Sequence, residues 1–394
     1  MESFAFESMY LEHLEGLKQQ SAFRTVESGL MPSPQAGFVH IDGKDYLNLA
    51  SNDYLGLSKH PYITAAGHQA LNIYGNGSAS ARIVSGHFEC YTAIEQKLAD
   101  FKGKQAALIG ASGYQVNSAV LSCLLNPALF AEPPLVFFDK YNHASLYAGL
   151  AMIGITPIRY RHNDLNHLKT LLQKYADGKR PIFCITESLF SMDGDFLDIP
   201  AFTTLAKQYH AMTIIDDAHA IGLYGQNGRG LCFGQPNIDI VLGTFSKACG
   251  VFGGYVACNQ TLAHFIRNKA GGLIYSTALP PMIWKMIEAS LDVILQADSE
   301  RQMLHDLIDK SYPLFKRAGF DCMNASSQII PLNLCDNKRA LTAQNILREA
   351  GFFIKAIRSP TVPPKTARLR LSLTPFIKIN DIKQIIRILQ ENLD

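Results

Sequence analysis

Five short apolar runs, each emptying into a polar loop, constrain the fold of this chain more than any other feature: residues 105–109, 135–139, 182–187, 212–216 and 238–242. Runs of this length, apolar on both faces and separated by stretches with helical spacing, read as strands of a sheet covered by helices. The expected architecture is α/β, with a mixed, mostly parallel sheet and helices on both faces. Parallel strands deliver their C-terminal ends to one edge, and open sheets of this kind bind ligands outside that edge. The loops after these runs are where the chemistry belongs.

The run 238–242 opens into Gly243-Thr244-Phe245-Ser246-Lys247. Burial disfavours the charged form of a lysine, which is how a lysine becomes a Schiff-base nucleophile. The hydroxyls of Thr244 and Ser246 are placed to hold an anion beside it. Taken alone, a Ser-Lys at a strand end is more often a surface pair. The run 212–216 ends in Asp216-Asp217-Ala218-His219. Asp216 reads equally as a helix N-cap or as an acid facing a ligand. A lysine for an aldehyde and an acid for a ring nitrogen, delivered to one edge, together fit pyridoxal 5′-phosphate.

The other loops add candidates. Gly110-Ala111-Ser112-Gly113-Tyr114 leads from a strand into a helical run, a geometry that offers backbone N–H groups to a phosphate or merely makes the turn. Tyr114 adds a flat ring. His143, at another helix start, is either a ring that stacks on a cofactor or a structural residue. Ser191 is a hydrogen-bond donor or a turn residue.

Around this centre the 394 residues divide into three expected parts. Residues 1–50 form a helix and a hairpin turning at Asp42-Gly43, 51–285 a large domain, and 286–394 a smaller α+β domain. Thr92 to Glu95 reads as a capping box. The run 253–258 follows the lysine loop too closely for a parallel crossover, so it pairs antiparallel. In the last part, 329–334, 353–357 and the alternating 367–373 read as strands. A helix over 382–393 closes the chain, with Asn380 or Asp381 as N-cap. Arg358 ends one of these strands as a carboxylate clamp or a solvated cation.

A net charge of +2 with 18% charged residues excludes a basic nucleic-acid-binding face and disorder. No apolar run is long enough to span a bilayer, and the acidic N-terminus lacks the features of a signal peptide. The 8 cysteines show no Cys-x-x-Cys spacing, so neither a disulfide frame nor a metal site is expected, and the expected compartment is the cytoplasm.

Asn52-Asp53-Tyr54-Leu55-Gly56, Ser191-Met192-Asp193-Gly194-Asp195, Asp216-Asp217-Ala218-His219 and Thr244-Phe245-Ser246-Lys247, in this order, resemble the motifs of the α-oxoamine synthases. These are fold-type-I pyridoxal-phosphate enzymes with an aspartate aminotransferase-like fold. The resemblance covers nearly the whole chain from Leu47. Ile274-Tyr275-Ser276-Thr277 and Arg358-Ser359-Pro360-Thr361 resemble family members that join L-alanine to a pimeloyl thioester, carried by coenzyme A or a carrier protein, in biotin biosynthesis. The resemblance implies that Lys247 attaches the cofactor, Asp216 pairs with its ring nitrogen, and His219 with Ser191 bonds its ring hydroxyl. It implies that His143 stacks on the ring and that Gly113, Tyr114 and Thr244 hold the phosphate. Ser276 and Thr277 would reach that phosphate from a second subunit, which implies a homodimer with shared sites. Arg358 would take the alanine carboxylate with Asn52 nearby, while Arg24 and Thr361 line the acyl end. At Tyr91 the family commonly has a histidine. Members using glycine and a short acyl-CoA are the alternative, and an aminotransferase or a non-catalytic cofactor-binding subunit the remote ones.

Overall fold

The structure, a computed structural model, describes residues 6–393. Three strands come first, β1 (Met31–Pro32), β2 (Phe38–Ile41) and β3 (Lys44–Asn48). Next come β4 (Ala106–Gly110), β5 (Leu135–Asp139), β6 (Ile158–Tyr160), β7 (Ile182–Glu187), β8 (Met212–Asp216), β9 (Ile240–Thr244) and β10 (Gly254–Cys258). The last are β11 (Ile329–Cys335), β12 (Phe352–Phe353), β13 (Lys355–Ile357) and β14 (Ala367–Ser372). The chain splits into two compact units. The larger comprises Asn52–Ser191 and Phe196–Arg301, the smaller Met1–Ser51, Met192–Asp195 and Gln302–Asp394.

The larger unit is built on a seven-stranded sheet in the order β4-β10-β9-β8-β7-β5-β6. From β6 to β9 all neighbours are parallel, while β10 runs antiparallel to both β9 and β4. The apolar runs form strands because both faces are covered: every residue of β5, β7, β9 and β10 is buried. The helix Gly113–Leu124 lays Val116, Val120 and Leu124 against Leu108, Ile214, Leu242 and Val256. Each such side chain taken out of water contributes about 1.5–3 kcal/mol. Asn117 is the polar member of that buried face, and it points at Asp216.

The helix Cys90–Lys102 begins two residues before the expected capping box, with no side-chain cap. Glu95 is instead drawn inward. Its carboxylate accepts from the Arg82 guanidinium at 2.5 and 2.9 Å and from the Ile109 amide at 3.0 Å. A half-buried guanidinium outcompetes a helix end for that charge. Tyr91 is fully buried in the same helix, stacked on Trp284 at 4.0 Å and donating to the Leu279 carbonyl at 2.8 Å.

In the smaller unit β2 and β3 form the expected hairpin. Asp42 and Gly43 have φ of 47° and 82°, the left-handed pair that a two-residue turn between twisted strands requires. The expected strand 353–357 is really two pieces. Phe352–Phe353 runs parallel to β3, and Lys355–Ile357 pairs with β14 in the antiparallel sheet β11-β14-β13. The alternation in 367–373 does not mark a solvent face, because all six residues of β14 are buried. Arg368 is neutralised by Asp193 at 2.9 Å and donates to the Met192 carbonyl at 3.0 Å. The closing helix, Ile379–Asn392, starts three residues earlier than expected. Asp381 lies inside its first turn and accepts from the Lys378 amide at 2.7 Å.

All eight cysteines are unpaired, and six are buried. Burial pushes the Cys184 thiol up to about 12, which leaves it inert. Among the described residues no helix is long and apolar enough to cross a membrane.

Candidate active site

Lys247 follows β9 by three residues. Its loop is pinned to the sheet, since Phe245 N donates to Gly253 O at 2.9 Å and Gly250 N donates to Lys247 O at 2.9 Å. Thr244 donates its hydroxyl proton to the Gly253 carbonyl at 2.7 Å, and the Ser246 hydroxyl lies 2.8 Å from Thr244 Oγ1. With its proton committed to Gly253, Thr244 must rotate before it donates to an anion.

Asp216 ends β8, in register with Glu187 of β7 and Leu242 of β9. Its Oδ2 accepts from Asn117 Nδ2 at 2.7 Å and its Oδ1 from the Ala218 amide at 3.0 Å. No helix starts there, so the N-cap alternative does not apply. Asn117 also donates to Ser145 Oγ at 3.0 Å. Ser145 in turn lies 2.7 Å from His143 Nδ1, where its backbone amide also donates at 3.2 Å. One hydrogen-bonded string thus runs from Asp216 through Asn117 and Ser145 to His143, which caps the helix Ala144–Ala151. Burial holds the His143 imidazole below its ordinary range. Asp216 opposes that shift and Lys247 reinforces it, so all three side chains share one field. A neutral ring here suits stacking.

His219 is buried, with Nδ1 2.8 Å from the hydroxyl of Tyr54. Tyr54, fully buried, donates to Asn52 Oδ1 at 3.0 Å. An amide oxygen only accepts, so the Tyr54 proton faces Asn52 and His219 Nδ1 is the donor to Tyr54. The expected result for Tyr54→Phe is therefore the loss of this hydrogen bond, costing about 0.5–1.5 kcal/mol. Thermal denaturation of the apoprotein reads this. An unchanged midpoint means that His219 carries its proton on the other nitrogen.

Gly113 and Tyr114 head the helix Gly113–Leu124, whose first amides lack intrahelical partners. Ser112 caps it, accepting from Gln115 N at 3.1 Å. The helix end is pressed onto the sheet. A Cβ on Gly254 would lie 2.5 Å from Gly113 N, and one on Gly113 would lie 3.1 Å from Thr244 Cβ. Gln115 Nε2 donates to Ser276 Oγ at 2.9 Å, and Thr277 bridges to Ala81. Ser191 lies four residues beyond β7.

Arg24, Arg358 and Thr361 come together in the smaller unit. Arg24 Nη2 donates to Thr361 Oγ1 at 2.6 Å, and Arg358 donates to the carbonyls of Ser21 and Phe23. Burial and the neighbouring Arg24 charge lower the proton affinity of Arg358. Among the described residues no carboxylate pairs with either guanidinium.

Pyridoxal 5′-phosphate fits the residues of the larger unit. Asp216 uses two of about four acceptor positions, which leaves room for a protonated ring nitrogen. The first-turn amides at Gly113 and Tyr114 suit its phosphate. Sequence reading alone did not single out Tyr54, Asn117, Ser145 or Glu187, whose roles rest on contacts between distant segments.

The family described as aminotransferase class I and II matches residues 44–389. A protein of Gluconacetobacter diazotrophicus named 8-amino-7-oxononanoate synthase is 43% identical over 303 residues, covering 76% of each chain. Among solved structures, serine palmitoyltransferase from S. paucimobilis with bound PLP superposes with a TM-score of 0.89 at 26% identity, covering 100% of this chain and 98% of that one. The 8-amino-7-oxononanoate synthase from Francisella tularensis gives 0.75 at 28%, covering 88% and 97%. This chain belongs to the class I and II aminotransferase family of pyridoxal-phosphate enzymes, alongside relatives named 8-amino-7-oxononanoate synthase.

Proposed function

We propose that this enzyme condenses L-alanine with a pimeloyl thioester, of coenzyme A or of a carrier protein, releasing carbon dioxide and the free thiol and forming 8-amino-7-oxononanoate for biotin biosynthesis. The paired guanidinium groups of Arg24 and Arg358 carry this reading. Two cations without a carboxylate partner suit substrates with more than one carboxylate: that of the amino acid and the distal one of a pimeloyl chain. A palmitoyl chain, the acyl group in the name of the serine palmitoyltransferase neighbours, has no such end.

Pyridoxal phosphate, when bound, supplies an electron sink for negative charge at the substrate α-carbon. Lys247 Nζ would attach it and, as the general base, would take the proton from the substrate α-carbon. Asp216 keeps the ring nitrogen protonated, aided by the two donors that fix its carboxylate. His143 stacks on the ring, while His219 and Ser191 bond its hydroxyl. The amides of Gly113 and Tyr114, with Thr244, hold the phosphate, joined by Ser276 and Thr277 of a second subunit in a homodimer. Arg358 and Asn52 orient the alanine carboxylate, and Arg24 with Thr361 the acyl end. The enzyme works in the cytoplasm.

The test is a matrix of alanine, glycine and serine against pimeloyl, acetyl and palmitoyl thioesters, with products read by mass spectrometry. Alanine with the pimeloyl thioester is expected to give an aminoketone with loss of carbon dioxide. Faster turnover of glycine with the acetyl thioester assigns the enzyme to the short-acyl branch. Amination of a keto acid with no thioester consumed makes it an aminotransferase.

A further inference from the structure

Glu187 ends β7 and is buried, directly in register with Asp216 on the neighbouring parallel strand. Neighbouring strands lie about 4.8 Å apart, and residues in register point to the same face of a sheet. Two carboxyls are thus set side by side at the strand edge where Lys247 emerges. They are not equally supported. Asp216 receives two hydrogen bonds, whereas Glu187 Oε1 has no partner at all. The remaining contact of the Glu187 carboxyl is the backbone N–H of His143. The charges facing it are Asp216 from β8, Lys247 from the loop after β9 and Asp139 from β5. An unpartnered oxygen in a dry site is costly as part of an anion and far less so as part of a neutral acid. A like charge at this spacing disfavours ionisation of the second carboxyl.

We propose that Glu187 is a positioning residue carried as the neutral acid. Through the His143 amide it fixes the start of the helix Ala144–Ala151, and it leaves Asp216 to meet the cofactor ring nitrogen without a second anion beside it. The role at the ring rests on the function proposed above, but the protonation state does not, so the two are tested separately. Burial, with Asp216 and to a smaller extent Asp139 adding to it, raises the proton affinity of Glu187 well above its ordinary value near 4.5, and Lys247 and the His143 N–H only partly offset this. The unfolded chain therefore loses this proton first. Stability falls as pH rises from that value toward the raised one.

Apoprotein of the wild type and of Glu187→Gln, which keeps the shape and removes the titration, is melted across about pH 5 to 9. The Gln variant is expected to gain about 3–5 °C over wild type per pH unit. A gap constant with pH overturns the neutral acid. The infrared carbonyl band of a protonated carboxyl should likewise be present in wild type and absent from the variant. Positioning is read in the holoenzyme. Glu187→Ala, which frees the His143 amide, is expected to move the pH midpoint of the visible cofactor band, whereas Glu187→Gln keeps it at neutral pH. A band in Glu187→Ala that titrates with wild type overturns the positioning role. If no protein shows a visible band, the functional reading has failed while the apoprotein result stands.

Discussion

Lys247→Ala is expected to lose the visible absorbance that borohydride fixes in the wild type, together with more than about 10⁴-fold of turnover. The size follows from losing two roles at one atom. A positioned general base contributes about 10²–10⁴ by itself, and the covalent attachment that organises the site is lost with it. The fold should not suffer. The loop is held by its backbone, through Gly250 N on Lys247 O and Phe245 N on Gly253 O, and alanine leaves both bonds intact. Normal melting with abolished turnover separates chemistry from folding. In the wild type, borohydride followed by peptide mapping should place the label on Lys247. A variant with full activity, or a label on another lysine, would remove the basis of the proposed function.

What the sequence disclosed and what it hid follow from the range of the interactions. Strands covered on both faces leave an unbroken apolar signature, so β5, β7, β8 and β9 were legible, as were the polar residues at or after the ends of β8, β5 and β9: Asp216, His143 and Lys247. The residues that hold those side chains leave no local trace. Tyr54 meets His219 across 165 positions, and Asn117 meets Asp216 across 99. Within a helix, Asn117 reads as an ordinary polar residue until the sheet is in place. Local rules misled where a distant charge prevailed. Glu95 matches a capping box yet serves Arg82 and the Ile109 amide. Arg368 alternates like a solvent-facing residue yet is buried on Asp193. The split between β12 and β13 follows from two sheets competing for one short segment, which no periodicity reveals.

The same reasoning locates the largest expected stability effect in Lys102, the last residue of the helix Cys90–Lys102. Its ammonium is fully buried, 2.8 Å from Asp217 Oδ2, and it donates to the Arg229 carbonyl. The ring of Tyr255 lies 5.8 Å away. Asp217 is further tied by Ser188 Oγ at 2.7 Å, and its amide donates to Leu242 O at 2.9 Å. Lys102→Met matches the length of the stem but leaves the Asp217 charge in a dry interior. Removing one partner of a buried pair costs about 3–5 kcal/mol. For a unit of this size that corresponds to a fall of about 6–20 °C in the apoprotein midpoint. Pairing it with Asp217→Asn, which removes the stranded charge, should recover much of the loss, since the penalty belongs to the unpaired anion and not to the missing lysine. Asp217 adjoins Asp216, so the single variant should also bind pyridoxal phosphate more weakly, and cofactor titration reads that independently of melting. Equal losses in the single and the paired variants would mean that Lys102 acts through the Arg229 carbonyl and its packing on Tyr255, not through the ion pair.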